Sequence, residues 1–182
     1  YFPTARENPR LFVGQTAEGQ ALHPLQHLRR SAGWQSLPSP YYASLLSDGD
    51  QLGKHMGEQA KQQPISAALN QFTQEAGAIV REHNGFLIYA GGDDVLALLP
   101  LDNALAAAAA LQKDYRGAFK KHCIDKGHDV QSTLSGAIEF VHIRTPLTRV
   151  LQDAHQLLDD VAKDEVGRNA IAVRVWKPSG LA

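Results

Sequence analysis

Beyond residue 40, short dense apolar runs alternate with longer stretches in which apolar positions recur every third or fourth residue. Tyr41-Tyr42-Ala43-Ser44-Leu45-Leu46-Ser47 is a run of strand length, preceded by Pro38-Ser39-Pro40 and ended by Asp48-Gly49-Asp50. Leu69, Phe72, Ala76, Ile79 and Val80 then stand at helical spacing, which predicts a helix over about 65–83, stopped by Asn84-Gly85. Residues 86–90 and 95–99 read as two strands joined by Gly91-Gly92-Asp93-Asp94 in a tight hairpin, and their apolar density predicts that both are central. An alanine-rich helix over about 101–122 and a strand over 134–141 follow. Pro146 opens a third helix, with Leu147, Val150, Leu151, Ala154, Leu157, Leu158 and Val161 on one face, which ends near Gly167 and gives way to a strand over 171–176.

The order β-α-β-β-α-β-α-β contains, in its first six elements, the ferredoxin-like βαββαβ plan: an α+β fold with helices over one face of a largely antiparallel sheet, here with an extra helix and strand. That plan lays the first strand beside the hairpin and predicts that Asp48, Asp50, Asp93 and Asp94 converge. Residues 1–39 are rich in Pro, Gly, Gln and Arg without sustained periodicity and read as an extension or linker from a larger protein, leaving 40–182 as the folded domain.

Composition narrows the functional class. With 43% apolar and 20% charged residues in 182, the chain is globular in balance rather than disordered. Its formal net charge of −1 gives no basic field able to hold long nucleic acid unaided, so RNA contact is expected through partners. No apolar run approaches the roughly 20 residues of a membrane helix, no leader opens the sequence, and Cys123 is its single cysteine, which together read as a cytoplasmic protein without membrane contact.

The candidate chemistry lies in the carboxylates. Phosphoryl transfer requires neutralisation of polyphosphate charge and positioning of a hydroxyl, which two Mg2+ or Mn2+ ions held by clustered carboxylates provide. Asp48 is the leading ligand, and Asp50, two residues on, shares its side of the sheet if the strand continues. Gly49, Gly91 and Gly92 remove side chains where a nucleotide would approach. Asp93 and Asp94 are adjacent and are expected to point to different sides, so that one of them binds metal directly. Gln51, Leu52, Gly53 and Lys54 form a turn or helix start whose N–H groups suit phosphate. Gly-Gly-Asp-Asp alone is equally a plain turn; the second carboxylate pair at the end of an apolar strand gives it chemical meaning.

The segment from Phe86 to Pro100 with Gly91-Gly92-Asp93-Asp94 at its centre resembles the signature hairpin of the diguanylate-cyclase (GGDEF) superfamily. Asp94-Val95 replaces the Glu-Phe of diguanylate cyclases, and Tyr41-Tyr42-Ala43 leads into Asp48-Gly49-Asp50-Gln51-Leu52-Gly53-Lys54; in both respects the chain is similar to the palm domain of type III CRISPR large subunits of the Cmr kind. Ala162-Lys163-Asp164-Glu165-Val166-Gly167-Arg168-Asn169 resembles the superfamily's Ala-Lys-x-x-Gly-Arg-Asn element with one additional residue between lysine and glycine. The resemblance implies ATP as substrate, cyclic oligoadenylate as product, and triphosphate contacts from Lys163 and Arg168. It also implies other subunits of a CRISPR effector complex as partners, guide and target RNA through the assembly, and a second palm domain facing the first. A diguanylate-type cyclase and a catalytically idle scaffold palm are the alternatives. His128-Asp129 lacks the further ligands of an HD nuclease, and His122, Cys123 and His128 have unsuitable spacing for zinc.

Overall fold

In the computed structural model, residues 39–177 and the backbone of 180–181 are described; the predicted extension 1–39 lies outside them except for Ser39. The elements are β1 (Tyr41–Gly49), α1 (Leu52–Met56), α2 (Gln59–Glu82), β2 (Phe86–Gly91), β3 (Asp94–Leu99), α3 (Ala104–His122), β4 (Leu134–His142), α4 (Leu147–Gln156), which runs into a π-helical stretch Leu157–Glu165, β5 (Ile171–Lys177) and the short β6 (Gly180–Leu181). The sheet order is β2-β3-β1-β4-β5-β6. β1 is antiparallel to both β3 and β4, whereas β5 runs parallel to β4 across the α4 crossover. This is the ferredoxin-like α+β plan with the predicted additions. Among the described residues, no helix is long and apolar enough to cross a membrane.

Strand alternation sorts the sheet into two faces. Ala43, Leu45, Val95, Ala97, Leu99 and Ile138 meet Ile65, Phe72 and Val80 of α2 and Ala107, Leu111, Tyr115 and Phe119 of α3 in the main core. Leu46, Ala137 and Ala172 face the other way and pack under Ala154, Leu157, Leu158 and Ala162. The third helix thus covers the face that α2 and α3 leave open.

Three expectations need correction. The first long helix begins at Gln59 rather than near Ile65 and contains Pro64, and the short α1 precedes it; its first turns are polar and largely exposed, so they carry no apolar period. β2 is the edge strand, not a central one: a bulge between Leu87 and Tyr89 breaks its register, and Phe86, Ile88 and Tyr89 are exposed. The helix stop is as read, with Asn84 as the left-handed residue at φ 57° and paired bonds from Asn84 N–H to the Arg81 carbonyl (2.9 Å) and from Gly85 N–H to the Val80 carbonyl (2.8 Å). Third, α4 loosens into a π-helix over Leu157–Glu165, the stretch that carries Lys163.

Behind α4, β4 carries a buried carboxyl. Glu139 is fully buried, accepts a 3.1 Å bond from the Trp176 indole N–H, and lies beside Asp153, which pairs with Arg174 at 2.6 Å. Burial and then the neighbouring Asp153 push the Glu139 acid up to about 8, so it stays protonated at neutral pH.

Candidate active site

β1 ends at Gly49 and β3 begins at Asp94; with Ser47 opposite Val95 in their antiparallel register, Asp48 comes level with the hairpin. The turn between β2 and β3 is two residues, Gly92 and Asp93, because Gly91 pairs with Asp94. Gly92 has φ +63° and Asp93 does not share the positive φ, the pattern of a type II′ turn. Each of Asp48, Asp93 and Asp94 offers a carboxylate oxygen, and the three lie within 4.8 Å of one another. Asp93 and Asp94 therefore point to one place rather than two: strand alternation does not govern Asp93, which sits in the turn.

The electrostatics are those of a repelling cluster. Burial, and then Asp48, raise the Asp93 carboxyl above its usual range despite a bond from its own backbone N–H. Burial, then Asp48 and Asp93, do the same to Asp94. Lys163 partly relieves this by pairing with Asp48 and, at 3.0 Å, with Asp159. Burial alone would lower the Lys163 ammonium, but the bonds to Asp48 and Asp159 hold it above its usual value. Three hard oxygen donors whose repulsion a cation would relieve form a set suited to Mg2+ or Mn2+.

Asp50 does not join them. The strand has ended, and the Asp50 side chain turns into the protein at 3% exposure. There it accepts bonds from Thr133 Oγ1 (2.6 Å), Ser135 Oγ (2.9 Å to each oxygen) and the Asn169 N–H (3.1 Å). Arg168 Nε lies 4.0 Å from the same carboxylate.

The glycines divide in role. A Cβ added to Gly49 would lie 2.6 Å from Asp93 Cβ and against the Tyr115 hydroxyl, so this glycine lets the hairpin close on β1 rather than leaving room for phosphate. The space beside Gly91 is filled by Tyr89; around Gly92 and Gly53 an added Cβ meets nothing within 4 Å. Gln51, at φ 62°, caps the short α1, Leu52 packs against the main core, and Lys54 bonds Gln51 Oε1 at 3.2 Å.

Sequence reasoning missed Tyr115 and Asp159. Tyr115 is fully buried, bonds Ser132 Oγ at 3.0 Å and backs the loop after β1. Burial, and then the nearby acids, push its phenol far above the ordinary range. A lone tyrosine on the buried face of an alanine-rich helix was the available signal. Asp159 precedes Lys163 by one helical turn, a spacing legible as a helical ion pair.

The family described as Cas10/Cmr2, second palm domain, matches residues 41–172. The CRISPR system Cmr subunit Cmr2 of Pyrococcus furiosus is 35% identical over 172 aligned residues, covering 79% of this chain and 19% of that protein. The chain thus spans about a fifth of the length of that curated relative. Among solved structures, a Csm1–Csm4 cassette in complex with cA4 superposes with a TM-score of 0.58 at 21% identity, over 78% of this chain and 21% of that one. The apo type III-B Cmr-beta cryo-EM structure gives 0.56 at 17% identity, over 81% and 26%. At these identities the structural likeness is one of fold.

Proposed function

The chain belongs to the Cas10/Cmr2 family of type III CRISPR large subunits, as its second palm domain, and on that premise we propose that it is a nucleotidyltransferase that links ATP into cyclic oligoadenylates within the effector complex. The observation that carries this reading is the convergence of Asp48, Asp93 and Asp94 beside Lys163. A palm used only as scaffold gains nothing from carboxylates held against their own repulsion. The neighbour solved with cA4 supports adenylate as the product class.

Asp48, Asp93 and Asp94 would hold two Mg2+ or Mn2+ ions. When bound, such ions neutralise polyphosphate charge and make a ribose hydroxyl a better nucleophile. Lys163, already between Asp48 and Asp159, is placed to transfer its ammonium from Asp48 to a triphosphate oxygen. Arg168 offers its terminal guanidinium nitrogens, since its Nε faces Asp50. An added Cβ would meet nothing at Gly92 or at Gly53, so neither position obstructs an approaching nucleotide. A hydroxyl of a second ATP then attacks the α-phosphate, the P–O bond to the β-phosphate breaks, and pyrophosphate leaves with the hydroxyl proton passed to solvent. Repetition and closure yield the ring, with the second ATP presented by a facing palm. Assembly with other effector subunits, and with guide and target RNA through them, completes the proposal.

Calorimetric titration of ATP and GTP with Mg2+ into the chain, repeated on Asp93→Ala/Asp94→Ala, tests the reading. Mg2+-dependent ATP binding lost in the double variant supports it; a preference for GTP points to a diguanylate-type activity, and binding of neither nucleotide to a scaffold. Oligoadenylate synthesis by the assembled complex with and without the double substitution tests the product.

A further inference from the structure

Immediately after the helix that carries Lys163, the backbone takes an uncommon path. Gly167, Arg168 and Asn169 follow one another at φ 92°, 76° and 51°. Glycine adopts this region freely and asparagine tolerates it, whereas arginine is strained there and remains only where its surroundings hold it. One hold is local, from the Arg168 N–H to the Ala162 carbonyl at 3.0 Å. The other is distant: the Asn169 N–H donates to Asp50 Oδ2 at 3.1 Å.

Asp50 is built to be immovable. Its N–H donates to the Thr133 carbonyl at 2.8 Å, its carbonyl accepts from Ser132 Oγ at 2.7 Å, and its carboxylate is gripped by Thr133 and Ser135. Its charge faces the Arg168 guanidinium, whose Nε lies 4.0 Å from Oδ1, a long-range attraction rather than a hydrogen bond. One carboxylate, outside the Asp48–Asp93–Asp94 cluster, thus ties the end of β1, the start of β4 and the turn before β5 into a single rigid unit.

We infer that Asp50 is a positioning residue for triphosphate recognition, acting through the Gly167–Asn169 turn to set Arg168, and Lys163 one turn earlier, against the carboxylate cluster. This rests on the reading of that cluster as an ATP–metal site. Asp50 itself touches neither metal nor nucleotide; its contribution is the angle of two cations, so its loss falls on ligands that carry a triphosphate and spares those that do not.

The test is Asp50→Asn in the whole chain, which keeps shape and one acceptor but loses the charge. ATP and AMP affinities with Mg2+ are measured by calorimetry, Mn2+ affinity by electron paramagnetic resonance, and backbone protection by hydrogen exchange. ATP affinity is expected to fall about tenfold, the effect of losing one oriented charged contact, with AMP and Mn2+ affinities within about twofold of wild type and the Asn169 amide exchanging faster. If Asp50→Asn does not fold, Ser135→Ala, which removes one donor to the same carboxylate, carries the same comparison with a smaller expected loss. Unchanged ATP affinity overturns the inference. So does a parallel fall in ATP, AMP and Mn2+ affinity, which marks general structural damage. Wild-type protein that binds neither Mn2+ nor ATP rejects the nucleotide-site reading and this inference with it, whereas normal wild-type binding unaffected by Asp50→Asn rejects this inference alone.

Discussion

Replacing Lys163 with alanine should move metal and nucleotide affinity in opposite directions. In the folded protein the ammonium pairs with Asp48, so a divalent cation arriving at Asp48, Asp93 and Asp94 must displace it. Two unit charges about 4 Å apart attract by about 1 kcal/mol in water and about 4 kcal/mol near a protein surface. With side-chain exposures of 16% for Lys163 and 28% for Asp48, solvent screens the pair appreciably. Asp159 also receives the displaced ammonium, which places the net cost of breaking the pair near the lower value, about 1–1.5 kcal/mol. Lys163→Ala should therefore tighten Mn2+ binding to the nucleotide-free protein by about tenfold. The same variant lacks a cation for the triphosphate, a charged contact worth about 1.5–3 kcal/mol, of which about 1–1.5 kcal/mol is returned because no pair with Asp48 has to be broken, so Mg–ATP affinity should fall by up to about thirtyfold. Free Mn2+ by electron paramagnetic resonance and Mg–ATP by calorimetry give the two constants. A loss of both affinities would refute the reasoning, because it would make Lys163 a support for the carboxylates rather than their competitor.

Gly49→Ala places a methyl group 2.6 Å from Asp93 Cβ, and the rigid β1–β3 pairing leaves the hairpin little freedom to yield. It should destabilise the chain by about 1–3 kcal/mol in urea and weaken Mn2+ binding, and unaltered metal affinity would show that the hairpin does not depend on this contact. Glu139 has an ordinary value of 4.5 and titrates near 8 when folded, so the folded state retains its proton between those values. Its contribution to stability is complete below about pH 4.5 and is lost as pH rises from there through about 8. Glu139→Gln should flatten the fall in melting temperature from pH 6 to 9, and a parallel pH profile would refute the assignment.

Much of the fold was legible because its central strands and long helices are patterned by burial. Leu45, Val95 and Ile138 lie in the apolar runs that read as strands and are buried in the main core, and the apolar stripe of α2 packs where its period predicts. The failures share a cause. The first turns of α2 are largely exposed, so their residues record no environment, and Pro64 argues locally against a helix that tertiary packing sustains. β2 is apolar enough for a central strand, yet Phe86 is 69% exposed. Its bulge and edge position depend on pairing with β3 rather than on composition.

The site divides along a similar line. Asp48 and the hairpin could be brought together from topology alone, because neighbouring strands impose that distance whatever the side chains do. Asp50 could not be separated from Asp48 in the same way: two carboxylates two residues apart look equivalent until it is known that β1 stops between them, at Gly49. The donors that remove Asp50 from the cluster are Thr133, Ser135 and the Asn169 backbone, ordinary residues with no motif of their own. Lys163 poses the intermediate case. Its place in an Ala-Lys element marked it as a phosphate ligand, but its partnership with Asp48 depends on the π-helical stretch crossing the sheet face on which Asp48 emerges. Sequence thus identifies groups able to hold charge where secondary structure alone places them. Which of these groups are already engaged, and must be released for a ligand to bind, is decided by contacts between residues more than a hundred positions apart.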